Sequence, residues 1–285
     1  MRCEMRKKTS TNGLKINKNV ETRQQGILWA TGNRGDTAME ELRKSFHHEL
    51  DEVRLSLARL AASVIEAIPR ATNVLLSGDL EGAEYLILAD DEIDSRSIAL
   101  EDRCYQLLAL QAPVAGELRQ LISILKMVGE IERSADLTVN IAKAARRIYG
   151  HSLDPKLRGI ITKMGEQAQQ LFTSALQSFE ENDVAIAGAI DDMDSYLDSL
   201  QRQFVQAIFE SHAAGSIDLQ VAIQLAVVAR FYERIGDHAV NIGERVLFIV
   251  SGWRPENKGA ARHDAKTAYD DTYGIPLPNT NTTEG

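Results

Sequence analysis

An all-α fold of two tandem, duplicated three-helix bundles is what this sequence predicts, on three observations. Long segments repeat their apolar residues at helical spacing, and no strand-like alternation stands out. Helix breakers and aromatics are scarce, with 6 Pro and 6% aromatic residues in a chain of 285 that is 44% hydrophobic. The stretch Glu132-Arg133-Ser134-Ala135-Asp136-Leu137-Thr138-Val139-Asn140-Ile141 also returns as Glu233-Arg234-Ile235-Gly236-Asp237-His238-Ala239-Val240-Asn241-Ile242, 101 residues on (233 minus 132). A period of that length marks a duplicated domain rather than a short solenoid unit.

The elements follow in order. Residues 1–38 mix Lys, Arg, Thr, Asn and Gly without a sustained period and read as a disordered extension; Met39 is a candidate start of the ordered part. The first helix is expected over about residues 40–76, with Pro69 as a kink inside it. Gly78-Asp79 supplies a stop and then an N-cap, and the second helix runs to about residue 110. Gln111-Ala112-Pro113 breaks the chain before a third helix from about residue 115 to 149, closed by Gly150. Asp154-Pro155 puts a cap and a first-turn proline at the head of the fourth helix, which ends near residue 181. Asn182-Asp183 opens the fifth, and Ala214-Gly215-Ser216 separates it from the sixth, which ends near Gly252. The first bundle is then 39–150 and the second 154–252. Residues 253–285, from Trp253-Arg254-Pro255 onward, read as a disordered polar tail.

Composition narrows the function. A net charge of -9 argues against a nucleic-acid binder, which needs a basic face to displace counterions. Cys3 and Cys104 make no disulfide framework. The apolar run from Val246 to Val250 is too short to cross a bilayer, and the basic N-terminus lacks an apolar signal segment. A cytoplasmic protein is expected, touching membrane only through a partner. No Gly-rich phosphate loop and no Ser/His/Asp or Cys/His arrangement is visible.

The duplicated helices keep acids where apolar residues are expected. With Glu117 at zero and about 100° per residue, Leu118, Leu121, Leu125 and Val128 fall between roughly 20° and 100°, and Glu132 and Asp136 fall near 60° and 100°. In the sixth helix Leu219, Ala222, Ala226 and Ala229 make the stripe that Glu233 and Asp237 continue. All four acids are therefore expected on inner faces, where an unpaired charge is costly. The second helix offers Asp91 and Asp94 on one face, and the fifth offers Asp191, Asp194 and Asp198. Asp91-Glu92-Ile93-Asp94 itself repeats as Asp191-Asp192-Met193-Asp194, and Glu117-Leu118-Arg119 as Asp218-Leu219-Gln220. The cation that these acids require is either a metal or an arginine, Arg133 or Arg234. The candidate metal ligands are Glu132, Asp136, Glu233, Asp237, Asp94, Asp194, Asp91 and Asp191. An all-oxygen set suits Mg, Mn or Fe, with Zn also admissible. No histidine completes a Glu-x-x-His pair, and His238 replaces Leu137 of the first copy, so it reads as a local contact.

Taken together, these motifs resemble the PhoU family over about residues 39–252. The resemblance is carried by the two copies at 132–141 and 233–242, by Asp-Glu-Ile-Asp at 91–94, and by Ala-Pro-Val-Ala-Gly-Glu-Leu-Arg at 112–119. It implies two similar bundles whose signature acids Glu132, Asp136, Glu233 and Asp237 can hold a metal ion cluster. It also implies a non-enzymatic negative regulator of phosphate uptake and phosphate-starvation signalling. Such a protein links the ATPase subunit of a phosphate ABC transporter to a sensor histidine kinase and forms a homodimer or higher oligomer. The competing readings are a metal-dependent phosphohydrolase and a metal-free helical scaffold. Three departures stand out: Ser134-Ala135 against Ile235-Gly236, Asp218-Leu219-Gln220 where the first copy has Glu-Leu-Arg, and the extension before Met39.

Overall fold

The computed structural model describes residues 15–252; the remaining parts of the two flanks, 1–14 and 253–285, lie outside the described residues. Six helices follow one another: α1 (Lys15–Ser77), α2 (Leu80–Gln111), α3 (Ala115–Arg147), α4 (Pro155–Glu181), α5 (Val184–Ala213) and α6 (Leu219–Ser251). α1 begins at Lys15, well before residue 40, where the apolar period starts. A helix needs its backbone bonds and not an apolar stripe, so periodicity does not mark this start.

The helix starts are capped locally, at Asp79 and Asp154 as the sequence predicts and at Asp218, which the sequence reading did not single out as a cap. Asp79 accepts the Gly82 N–H at 3.0 Å, Asp154 the Leu157 N–H at 2.9 Å, and Asp218 the Val221 N–H at 2.7 Å. Each satisfies a first-turn donor that the helix leaves open. Gly78, Gly150, Gly215 and Gly252 take the positive φ that ends or redirects the chain.

The chain divides into two units, up to Glu52 and from Val53. The second holds the rest of α1 and all of α2–α6. Within it the repeat-equivalent helices meet each other. α1 runs antiparallel to α4: Arg54 lies 4.6 Å from the Phe179 ring centre and donates to the Phe179 carbonyl at 2.9 Å, while Arg158 donates to the Leu76 carbonyl at 2.7 Å. α3 runs antiparallel to α6: Arg119 is beside Gly252, Glu130 meets Asn241, and Arg147 meets Gln224. Antiparallel contact between equivalent helices relates the halves by an approximate two-fold axis. The core at these seams is apolar, with Leu121, Ile124, Met127, Val128, Leu225, Val228 and Ala229 buried. The Thr72 hydroxyl and the Tyr232 hydroxyl share a buried hydrogen bond of 2.7 Å from α1 to α6.

Candidate functional site

Within each half, α2 packs on α3 and α5 on α6, and the acids line those two junctions. Asp90, Asp94, Glu132 and Asp136 form the first cluster. Asp90 is held above the usual carboxylate range by burial first, then by the charges of Asp136 and Asp94, with Lys143 opposing. Glu132 is raised by burial and then by Asp136 and Asp94, with Arg133 opposing. Asp191, Asp194, Asp198, Glu233 and Asp237 form the second. There burial, then Asp198, Asp237 and Asp191, push the Asp194 carboxyl up to about 7. Asp237 is also raised, by burial first and then Asp198, against the pull of Arg230.

The expected inner-face placement of the signature acids does not hold. Glu132 and Glu233 are half-buried, and Asp136 and Asp237 are exposed, as are Asp91 and Asp191. The clusters are rims at the edge of the helix junctions. The reason is visible in α3, which buries Ser123, Ser134 and Thr138 while leaving Leu118 and Ile122 exposed. Ser134 and Thr138 return their hydroxyls to the backbone of their own helix, at 2.8 Å and 2.7 Å. Such residues enter a core without a partner and shift the buried arc away from the large apolar side chains.

Of the two candidate arginines, neither forms an ion pair with a signature acid among the described residues; Arg230 does so instead. Arg133 pairs with Glu130 at 2.7 Å and Arg230 pairs with Glu233, while Arg234 is exposed. Asp90 is the member that the sequence reading missed. Its signal was there: it stands four residues before Asp94, on the same helix face. His238, read from the sequence as a local contact, instead reaches across the α3–α6 seam. Its Nδ1 lies 2.6 Å from a Glu130 oxygen that also accepts Asn241 Nδ2 at 3.1 Å. Burial opposes the Glu130 charge, yet the bonds from His238 and Asn241 and the charge of Arg133 hold this carboxyl below its usual range.

The donor chemistry fits a hard or intermediate cation. One oxygen each of Asp90, Asp194 and Glu233 is buried without a hydrogen-bond partner among the described residues. An orphaned buried carboxylate oxygen is costly, and mutual repulsion adds to the cost; a cation at the rim relieves both. Among the described residues no three His, Cys, Asp or Glu side chains converge into a ready single-ion cage. Binding would therefore draw the acids of two helices together. No helix among the described residues is long and apolar enough to cross a membrane.

With this geometry in place, comparison with known proteins gives a consistent picture. The PhoU domain matches twice, over residues 57–145 and 161–246, so each acid cluster falls within one match. The phosphate-specific transport system accessory protein PhoU homolog 1 of Mycobacterium leprae is 34% identical over 217 residues, covering 76% of this chain and 97% of that protein. The PhoU homolog of Pseudomonas aeruginosa is 29% identical over 231 residues, covering 80% and 94%. Among solved structures, PhoU from Pseudomonas aeruginosa superposes with a TM-score of 0.69 at 28% identity, covering 73% of this chain and 100% of that one. The phosphate transport system regulatory protein PhoU from Streptococcus pneumoniae gives 0.67 at 27% identity, covering 73% and 98%.

Proposed function

Because this chain belongs to the PhoU family, we propose that it is an accessory regulator of a phosphate-specific transport system. In this reading it restrains phosphate uptake and phosphate-starvation signalling from the cytoplasmic side, as an adaptor between the transporter's ATPase subunit and a sensor histidine kinase. The observation that carries it is the double match: both acid-bearing helix sets lie inside a PhoU domain. The transport-accessory relative from Mycobacterium leprae is also covered over 97% of its length. Deleting the gene and measuring phosphate-responsive transcription tests it. Derepression in phosphate-rich medium is expected, reversed by the intact gene. Unchanged expression at high and low phosphate, in a strain with no second copy, rejects it.

In the same proposal the two rims hold a metal ion cluster. Asp90, Asp94, Glu132 and Asp136 would hold it in the first half, and Asp194, Asp198, Glu233 and Asp237, with Asp191, in the second. Bound cations would neutralise the clustered acids and fasten α2 to α3 and α5 to α6. Elemental analysis of protein purified without chelator should find metal, reduced by Asp136→Ala together with Asp237→Ala. Metal-free native protein whose melting temperature ignores added Mn, Fe, Mg and Zn would remove this part and leave the regulatory reading standing.

A further inference from the structure

The end of α1, the end of α3 and the connection into α4 border an open cavity of about 410 Å³. That is the size of a small-molecule site, about 300–1,000 Å³. No residue of either acid rim lines it, and no acidic side chain does among the described residues. Leu75, Ala145 and Ile148, all buried, close its floor. Tyr149 stands at its edge, 60% exposed, with ring Cδ2 3.8 Å from where a side-chain carbon on Gly78 would be. The polar lining includes Arg158, His151 and Ser152. Arg158 is held at one nitrogen: its Nη1 donates to the Leu76 carbonyl at 2.7 Å, and no other hydrogen bond ties it among the described residues. Its repeat counterpart is Arg54, 104 residues earlier (158 minus 54). Arg54 donates to the Phe179 carbonyl at 2.9 Å, reaches Asn182 Oδ1 at 3.5 Å and lies over the Phe179 ring. The same helix-end arginine is fully engaged in one half and leaves N–H groups for a ligand in the other.

We propose that this cavity binds a nucleotide, with its phosphate on Arg158 and His151 and its base against Tyr149. The charge around the cavity calls for an anion. Residues 143–163 carry Lys143, Arg146, Arg147, Lys156, Arg158 and Lys163 against one acid, Asp154, in a chain of net charge -9. Asp79 and Asp154, which directly follow lining residues, accept the N–H groups of Gly82 and Leu157 at helix starts. Asp218 caps α6 in the same way and lies 3.8 Å from His151 Nδ1, which engages one ring nitrogen and leaves the other. A guanidinium fork matches phosphate oxygens. The apolar floor and the exposed Tyr149 ring call for a flat aromatic body, since every base has a face that stacks. Inorganic phosphate alone would leave that floor wet, and an acyl chain finds no channel through it. Tyr149, His151 and Arg158 fall between the two PhoU-domain matches, 57–145 and 161–246, so the site belongs to the connection between the repeats. The proposal stands independently of the regulatory reading.

Calorimetric titration of the full chain with the adenine and guanine mono-, di- and triphosphates tests it, in chelator to keep metal off the rims. At least one nucleotide should bind saturably at one site per chain, and inorganic phosphate at least about tenfold more weakly. Tyr149→Ala should weaken nucleotide binding about tenfold, and Tyr149→Phe should change it little. Arg158→Lys, which keeps the charge and loses the fork, should also weaken it about tenfold. His151→Ala, with the same expected direction, serves if the Arg158 variant fails a circular-dichroism check of folding. Bound nucleotide should slow hydrogen exchange of the amides at 75–78 and 148–153 and leave those at 132–136 and 233–237 unchanged. The proposal is overturned if no nucleotide binds at millimolar concentration, or if binding is indifferent to folded Tyr149→Ala and Arg158→Lys. Phosphate bound as tightly as any nucleotide, or protection confined to the acid rims, also overturns it.

Discussion

The two acid clusters do the same thing with different parts. In the first, α2 contributes Asp90 and Asp94; in the second, α5 contributes Asp194 and Asp198, so the α2/α5 share is displaced by one helical turn. The repeat places Ile190 at the position of Asp90. Ile190 is buried, and its Cδ1 would be 2.9 Å from a side-chain carbon on Gly243. The first half has Ala142 in place of Gly243 and Ala135 in place of Gly236. A carbon added at Gly236 would meet Asp194 Oδ1 and would stand 2.8 Å from Leu197 Cδ2. Missing side chains on α6 let α5 settle closer, so Ile190 fills the core and the acid face moves one turn along. The same closeness strips water from Asp194, whose carboxyl is pushed up to about 7, burial first and three like charges after it. Two glycines thus set both the packing and the electrostatics of one cluster.

Substitution at those glycines has the largest expected effect. Gly236→Val puts branched bulk where Asp194 and Leu197 already stand, and overpacking of this kind costs about 3 kcal/mol. The reciprocal change, Ala135→Gly, should cost about 1 kcal/mol through helix propensity alone. Urea melts of the two variants measure both. Equal losses would mean that the second half has no tighter junction, and the account of Asp194 would go with it.

A second difference lies on the seam. Glu130 is one-sided: its repeat partner is Phe231, and His238 replaces Leu137. Glu130→Gln should cost about 2 kcal/mol near neutral pH, because a charge-assisted acceptor for His238 and Asn241 is weakened. The folded-state carboxyl lies below its unfolded value of 4.5. Its contribution is therefore present above that value and is lost as pH falls through the folded one. Melting temperatures of wild type and variant should converge in acid. A gap that persists undiminished below the folded value would show that the charge is not what ties the seam.

These differences explain what the sequence could and could not tell. Helix order and duplication were legible because Asp79, Asp154-Pro155 and the glycines after α1, α3, α5 and α6 act on their own neighbours. The choice of buried face was not, because α3 is flanked by both α2 and α6 and buries Ser123, Ser134 and Thr138. Apolar periodicity assigned the stripe to Leu118, Leu121, Leu125 and Val128; Leu121 and Val128 are buried but Leu118 is exposed, so the arc carried Glu132 and Asp136 too far inward. Asp90 escaped because its counterpart is Ile190, so a search for repeated acids passes over it. The Glu130–His238 contact escaped for the same reason, since neither residue is repeated.

Titration of the two rims has smaller effects on stability. Asp194 has a folded value raised from 3.8 to about 7. A raised value means that its favourable contribution is full below the unfolded value and is lost as pH rises through about 7. In chelator, Asp194→Asn should therefore be more stable than wild type at pH above that value by on the order of 1 kcal/mol, the full shift being discounted for a half-exposed group. The advantage should vanish in mild acid. Asp90→Asn should follow the same sign with a smaller effect, because Lys143 opposes the burial and the like charges that raise Asp90. Replacing Lys143 by Met should then enlarge the benefit of Asp90→Asn and leave Asp194→Asn untouched. Thermal melts across pH on the three single and two double variants test this. An Asp90→Asn gain as large as that of Asp194→Asn, with Lys143 in place, would show that the lysine does not compensate the first cluster and that the two rims carry the same electrostatic load.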